Sequence, residues 1–174
     1  MLSYLFGSNK NFKILIAYCS VTGNAENIAK ILLERLRKRF NNIFIKELNN
    51  VEIDNLNQYD YIIIIISTTG DGEYPDNSRL FCKKIRKYRE NKIENLKVAM
   101  LGLGSTDYNN FCHASKCLDR ILKRLKIKYF MDVEYADDAI GLECIVEPWM
   151  NKVVEFLFNE HSKIRNWFIK SMSI

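Results

Sequence analysis

The stretch Tyr61-Ile62-Ile63-Ile64-Ile65-Ile66 runs without a break into Ser67-Thr68-Thr69-Gly70-Asp71-Gly72-Glu73-Tyr74-Pro75-Asp76-Asn77. Five successive isoleucines leave no polar face, and β-branched side chains favour strand. The run therefore reads as a central strand covered on both faces, as in a parallel sheet flanked by helices. It is far shorter than the roughly twenty apolar residues that cross a bilayer. The loop behind it is long and built of glycines, small donors and carboxylates. At its end Asp76 or Asn77 is expected to cap a helix with Leu80, Phe81, Ile85 and Tyr88 on a narrow apolar stripe.

Two neighbouring stretches repeat this strand-then-loop design. Phe12-Lys13-Ile14-Leu15-Ile16-Ala17-Tyr18 leads into Ser20-Val21-Thr22-Gly23-Asn24-Ala25, and Lys97-Val98-Ala99-Met100-Leu101 leads into Gly102-Leu103-Gly104-Ser105-Thr106-Asp107-Tyr108. A helix follows each loop. The first carries Ile28, Ala29, Leu32, Leu33 and Leu36 inward to about Phe40; the other starts near Phe111 and turns Ala114, Cys117, Leu118, Ile121, Leu122 and Leu125 inward. Residues 43–48 read as an edge-like strand, followed by a polar connection over 49–58. Residues 128–133 read as a fifth strand, closed by the acidic turn Ala136-Asp137-Asp138. Pro148 stands near the start of a last helix bearing Trp149, Val153, Phe156 and Leu157.

Strands alternating with helices through right-handed crossovers give an α/β, doubly wound, five-stranded parallel sheet with helices on both faces. Ligands bind such sheets where the strand order reverses. The loops after the first, third and fourth strands carry the donors and the loop after the second does not, which selects the order 2-1-3-4-5. At 174 residues and 48% hydrophobic content the chain has the size of one domain.

Composition excludes several classes. The five cysteines, Cys19, Cys82, Cys112, Cys117 and Cys144, are odd in number and scattered without a C-x-x-C pair, and the two histidines complete no ligand set. A disulfide framework or structural zinc site is not expected. Residues 1–11 are expected to be a loose leader, and Met1-Leu2-Ser3-Tyr4-Leu5-Phe6-Gly7 reads as too short and without the basic start of a signal peptide. The expectation is a cytoplasmic protein with no membrane partner. The net charge of +5 does not argue for nucleic acid, because no basic stripe alternates with aromatics on a strand face.

The loop over residues 20–25 suits a phosphate. A strand ending in hydroxyls, a glycine and an asparagine before a helix aims backbone N–H groups and the positive helix end at one anion. Neither the P-loop nor the dinucleotide spacing is present, and the loop holds no lysine, so a terminal monophosphate fits better than a triphosphate. The same residues also fit an ordinary strand-to-helix turn with Ser or Thr as N-cap.

Taken together, the three loops resemble those of flavodoxins and, more specifically, the FMN-binding domains of the diflavin reductases. The resemblance rests on residues 20–25, residues 67–77 and Gly102-Leu103-Gly104-Ser105-Thr106-Asp107-Tyr108-Asn109-Asn110-Phe111-Cys112, and spans about residues 12–158. Ala136-Asp137-Asp138-x-x-Gly141-Leu142-Glu143 and Val146-Glu147-Pro148-Trp149 are most similar to the methionine synthase reductase branch. The resemblance implies that FMN is the cofactor. Its phosphate would be held by Ser20, Val21, Thr22, Gly23, Asn24 and Ala25. Ser67, Thr68, Thr69, Gly70 and Asp71 would lie along the flavin edge, with the Gly70 carbonyl facing N5. Leu103, Gly104, Ser105, Asp107, Tyr108, Phe111 and Cys112 would form the third wall, Tyr108 stacking on one ring face, and Asp138 would reach the cofactor. Many diflavin reductases have tyrosine where this chain has Thr69, so the opposite face is expected to be open or covered by Tyr74 or a partner.

The implied function is electron transfer. An NADPH/FAD reductase module, in cis or in trans, would be the donor, and a metalloprotein with cobalamin, haem or iron-sulfur the acceptor. The competing expectation is a flavodoxin-fold interaction module that has lost its cofactor. Asp71, Glu73, Asp137 and Asp138 are expected to make the flavin end negative. Basic clusters such as Arg35, Arg37, Lys38 and Arg39, or Arg86, Lys87, Arg89 and Lys92, lie at the far helix ends, where they complement the helix dipoles. His113 reads as a cap or surface residue. Residues 159–174, with Ile164, Trp167, Phe168 and Met172 at helical spacing, read as a C-terminal helical extension or the start of a linker.

Overall fold

The structure, a computed structural model, describes residues 12–89 and 93–171. Ten elements follow in order: β1 (Ile14–Cys19), α1 (Asn24–Arg37), β2 (Ile43–Glu47), β3 (Tyr61–Ser67), α2 (Asp76–Lys87), β4 (Lys97–Gly104), α3 (His113–Arg124), β5 (Lys128–Tyr129), β6 (Glu134–Asp137) and α4 (Glu143–Ser171). Short 3-10 turns at Leu48–Asn50 and Ile53–Gln58 link β2 to β3. All strand pairs are parallel, in the order β2-β1-β3-β4-β5 with β6 also on β4. This is the expected 2-1-3-4-5 sheet.

The isoleucine run pairs with β1 on one side and β4 on the other. Its side chains alternate between two cores because successive Cβ atoms on a strand point to opposite faces. Ile63 and Ile65 join Ile14, Ile16, α1 and α4, while Ile62, Ile64 and Ile66 join Leu15, Ala17, α2 and α3. The centre of the sheet is thus dry on both sides, and the three loops that leave its carboxyl edge start from fixed points.

Four expectations are corrected. The fifth strand is not continuous over 128–133: Lys128 and Tyr129 pair with Lys97 and Val98, then the ladder resumes with Glu134 on Leu101. The offset grows from 31 to 33, so two extra residues are accommodated between the pieces, and Ala136 and Asp137 are strand residues, not a turn. Phe130 still donates its N–H to Val98 O at 3.0 Å as the last link of the first piece, while its ring stacks on Phe156 at 4.8 Å and meets Tyr61 edge-on at 5.3 Å. In α2, Leu80 is half exposed at 50% and the buried face is Ser78, Phe81, Cys82 and Ile85. Asp76 and Asn77 are the first helical residues, behind Pro75 as N-cap.

The last helix runs through Pro148 and on to Ser171 without a break at 158. His161 packs edge-on against Phe12 and Phe40 and Ile164 touches the same core, while Trp167 is exposed. The leader over residues 1–11, Lys92 and Met172 lie outside the described residues.

Candidate functional site

A cleft of about 540 Å³ opens at the carboxyl edge of β1, β3 and β4. The first loop contributes Thr22 and Asn24, the second Ser67, Thr68, Thr69, Gly70 and Asp71, and the third Leu103, Gly104, Ser105, Tyr108, Asn110 and Cys112, with Asp138 and Leu142 closing the far side. Of the residues expected there, Ser20, Val21, Gly23, Ala25, Asp107 and Phe111 do not line it. Asn110 and Leu142 do line it. The first passes as one more polar loop residue, and the second is an apolar residue beyond the glycine loops.

The first loop is folded by Ser20. Its hydroxyl accepts from the N–H groups of Gly23 (2.9 Å) and Ala25 (3.4 Å), while its own N–H donates to Asn77 Oδ1 (3.3 Å). Ser20 is therefore a brace behind the loop, and the N-cap of α1 is Gly23 at φ +90°, a conformation that glycine adopts without a Cβ penalty. The amides of Val21, Thr22 and Asn24 have no hydrogen-bond partner among the described residues. With the Thr22 and Asn24 side chains beside them, they form an uncharged donor set at the positive end of α1.

The second loop is a closed tip on a short bridge. Thr69 N–H donates to Glu73 O at 3.0 Å and Glu73 N–H returns to Thr69 O at 2.7 Å. Gly70 (φ +49°) and Gly72 (φ +95°) turn the chain, and the Gly70 carbonyl has no partner among the described residues. Thr68 ties this loop to the next, its Oγ1 accepting from Ala114 N–H at 3.3 Å in the first turn of α3. Tyr74 packs into the α2/α3 core and does not border the cleft, so it is not the cover expected over Thr69.

The third loop is braced from below by Asp137. Its buried carboxylate accepts from Thr106 N–H (2.9 Å), Thr106 Oγ1 (2.7 Å) and Ala139 N–H (3.0 Å). The Thr106 hydroxyl first, then the Thr106 and Ala139 amides, hold its carboxyl below the usual carboxylate range, against the opposing effect of burial. Because the folded value lies below the unfolded one, this stabilisation is fully present above about pH 4 and is lost as the pH falls through the folded value. Asp137→Asn is expected to weaken the fold at pH 7, with a smaller difference from wild type in urea unfolding at pH 3; a difference that does not shrink would remove Asp137 from the acid response.

The remaining carboxylates divide. Asp71 and Asp138 are exposed at the cleft, whereas Glu73 is paired with Arg79 at 2.8 Å. The expected negative rim therefore has two carboxylates facing the cleft, with Asp137 turned inward. Cys112, at φ +53° before α3, presents a thiol that burial pushes up to about 12, so it lines the cleft as a neutral group. Among the described residues no group of three or more metal-ligating side chains occurs, and no helix is long and apolar enough to cross a membrane.

A family profile described as Flavodoxin matches residues 16–149. The chain belongs to the flavodoxin family. Among curated relatives of this flavodoxin chain are the methionine synthase reductases of Bos taurus, 33% identical over 147 residues, and Caenorhabditis elegans, 38% identical over 145. These alignments cover 80% and 79% of this chain but only 20% and 21% of the relatives. The sulfite reductase [NADPH] flavoprotein alpha-component of Mannheimia succiniciproducens is 30% identical over 88% of this chain and 25% of its own length. The chain thus spans about a fifth to a quarter of these relatives. Among solved structures, oxidised Flavodoxin 2 from Bacillus cereus superposes with a TM-score of 0.70 at 29% identity, covering 84% of this chain and 99% of that one. These findings bear out the diflavin reductase resemblance, and FMN is the family's cofactor. The donor set fits it: unpartnered amides for a phosphate, an exposed aromatic for a ring, and an unpartnered Gly70 carbonyl on the second loop.

Proposed function

We propose that this flavodoxin domain binds FMN in the cleft and relays electrons, receiving them from an NADPH- and FAD-dependent reductase module and passing them singly to a metalloprotein acceptor of the cobalamin, haem or iron-sulfur class, in the cytoplasm. The observation that carries the reading is the convergence, in one cleft, of Thr22 and Asn24 with their unpartnered amides at the start of α1, the exposed ring of Tyr108 and the unpaired Gly70 carbonyl. The names of the relatives support the donor and leave the acceptor class to be tested.

Bound FMN would supply the exchange of one or two electrons, and the chain would set where that happens. The first loop holds the phosphate with neutral donors. The Gly70 carbonyl offers an acceptor for a ring N–H at the flavin edge. Asp71 and Asp138 place negative charge at the mouth and oppose the build-up of more, which favours release of electrons to a partner. Thr22→Ala is expected to weaken FMN about tenfold through loss of one hydrogen bond to a charged group, with riboflavin binding unchanged. Fluorescence titration of both ligands makes the test; equal losses for the two would contradict the phosphate assignment, and a purified protein that takes up neither would overturn the proposed function.

A further inference from the structure

The tip of the second loop, Gly70-Asp71-Gly72, has little of its own to hold it. Gly70 and Asp71 are exposed, both glycines have positive φ, and a Cβ on Gly70 would meet nothing within 4 Å. Its base is closed by the Thr69–Glu73 pair and by Gly72 N–H, which donates to Thr69 O at 3.1 Å. Above that base, among the described residues, the tip's one hydrogen bond to another element comes from Asn110, whose Nδ2 donates to the Asp71 carbonyl at 2.8 Å. Because the partner is a carbonyl, the group facing it must be the amide's donor end.

The contact is also steric. A Cβ on Gly72 would lie 2.8 Å from Asn110 Cβ and 3.0 Å from His113 Cβ, so the absence of a side chain at 72 lets the two loops touch. Asn110 is itself fixed, since its carbonyl accepts from His113 N–H at 3.1 Å at the start of α3. A rigid helix start therefore holds a two-glycine tip through a single side chain that also lines the cleft.

We infer that Asn110 is a positioning residue, a latch that ties the second loop to the third and sets the cleft wall before a ligand enters. Without it the tip would sample many conformations, and binding would have to freeze them. The part of this that concerns flavin rests on the proposed function; the latch itself does not.

The test uses Asn110→Asp, which keeps the shape and replaces the donor by a carboxylate facing a carbonyl. In the ligand-free protein, hydrogen exchange at the Gly72 and Glu73 amides is expected to rise about tenfold, while the amides of β3 and β4 stay as protected as in wild type. FMN and riboflavin should both bind about tenfold more weakly, because the second loop serves the ring and not the phosphate. Gly72→Ala, which forces the loops apart, should act alike, and the double variant should lose less than the product of the two single losses. Exchange unchanged in Asn110→Asp, or raised equally across the core strands, overturns the latch. A wild-type protein that binds neither flavin overturns the proposed function, and the exchange result still decides on Asn110.

Discussion

Gly104→Val is expected to abolish measurable FMN uptake and to lower the thermal midpoint by about 5 °C, the largest combined effect of any cleft substitution considered. Gly104 ends β4 at the point where the third loop leaves the sheet. A Cβ there would lie 2.7 Å from the Cys112 backbone nitrogen, 2.9 Å from its Sγ and 3.2 Å from Phe111 Cδ2. None of these can retreat cheaply. Cys112 already sits at positive φ, its side chain is fully buried, and its carbonyl accepts from Ser115 Oγ at 2.7 Å. The strand end and the turn before α3 must separate, and both line the cleft. Gly102→Ala is the control: its Cβ would collide with the Ser115 side chain and approach Tyr135, which costs stability at a glycine outside the cleft lining. Melting curves and flavin titrations of the two variants separate the effects, and wild-type FMN affinity in Gly104→Val would show that the cleft does not depend on this close approach.

The parts of the fold that were legible are those where one physical demand dominates. The isoleucine run admits no exposed face, so β3 and its place at the centre of the sheet follow from six residues. The loops after β1, β3 and β4 announce themselves because glycine, serine, threonine and aspartate are gathered where a strand ends. The broken fifth strand was not legible, because the ladder interrupts just after Phe130, whose ring is taken up by partners in α4 and β3 that are distant in sequence. Leu80 misled for a related reason. Apolar counting prefers leucine to serine or cysteine, yet the face that meets the core is Ser78, Phe81, Cys82 and Ile85, with the Ser78 hydroxyl satisfied locally by Pro75 O at 2.8 Å.

The site was legible as a set of loops and less so as a set of roles. Composition can say that Ser20 and Thr22 are both hydroxyls near an expected phosphate; only the fold separates the brace from the cleft residue. The same holds for the acidic pair, where adjacent residues on β6 and just after it diverge, Asp137 inward to Thr106 and Asp138 to the cleft mouth. Basic helix ends complement the helix dipoles, and Arg124 in the last turn of α3 goes further. It donates to Arg86 O at 2.9 Å and so caps the end of α2 from α3. Arg35, in turn, is committed to Glu147 of α4 at 2.8 Å.

Tyr108→Ala is expected to weaken FMN by about tenfold to a hundredfold, the range set by stacking one aromatic on a heterocycle, with the thermal midpoint unchanged. The two halves of that expectation come from one feature. The Tyr108 ring is 66% exposed and lines the cleft, so its removal leaves no cavity in the core. The backbone beneath it is well held by Tyr108 N–H to Ser105 O (3.3 Å), Asp107 N–H to Ser105 Oγ (3.2 Å) and the clasp of Asp137 on Thr106. A braced loop presenting an unpacked aromatic is what a planar ligand needs, since the ring pays little ordering entropy on contact. The loss should be equal for FMN and riboflavin, which distinguishes it from Thr22→Ala, and Tyr108→Trp should retain binding. Because Thr69 and not an aromatic stands on the second loop, Tyr108 is expected to carry the stacking alone, and Thr69→Tyr in the Tyr108→Ala background should restore part of the affinity. Flavin affinity and absorption spectra unchanged by Tyr108→Ala would remove the residue from the site and leave its exposure without a ligand to explain it.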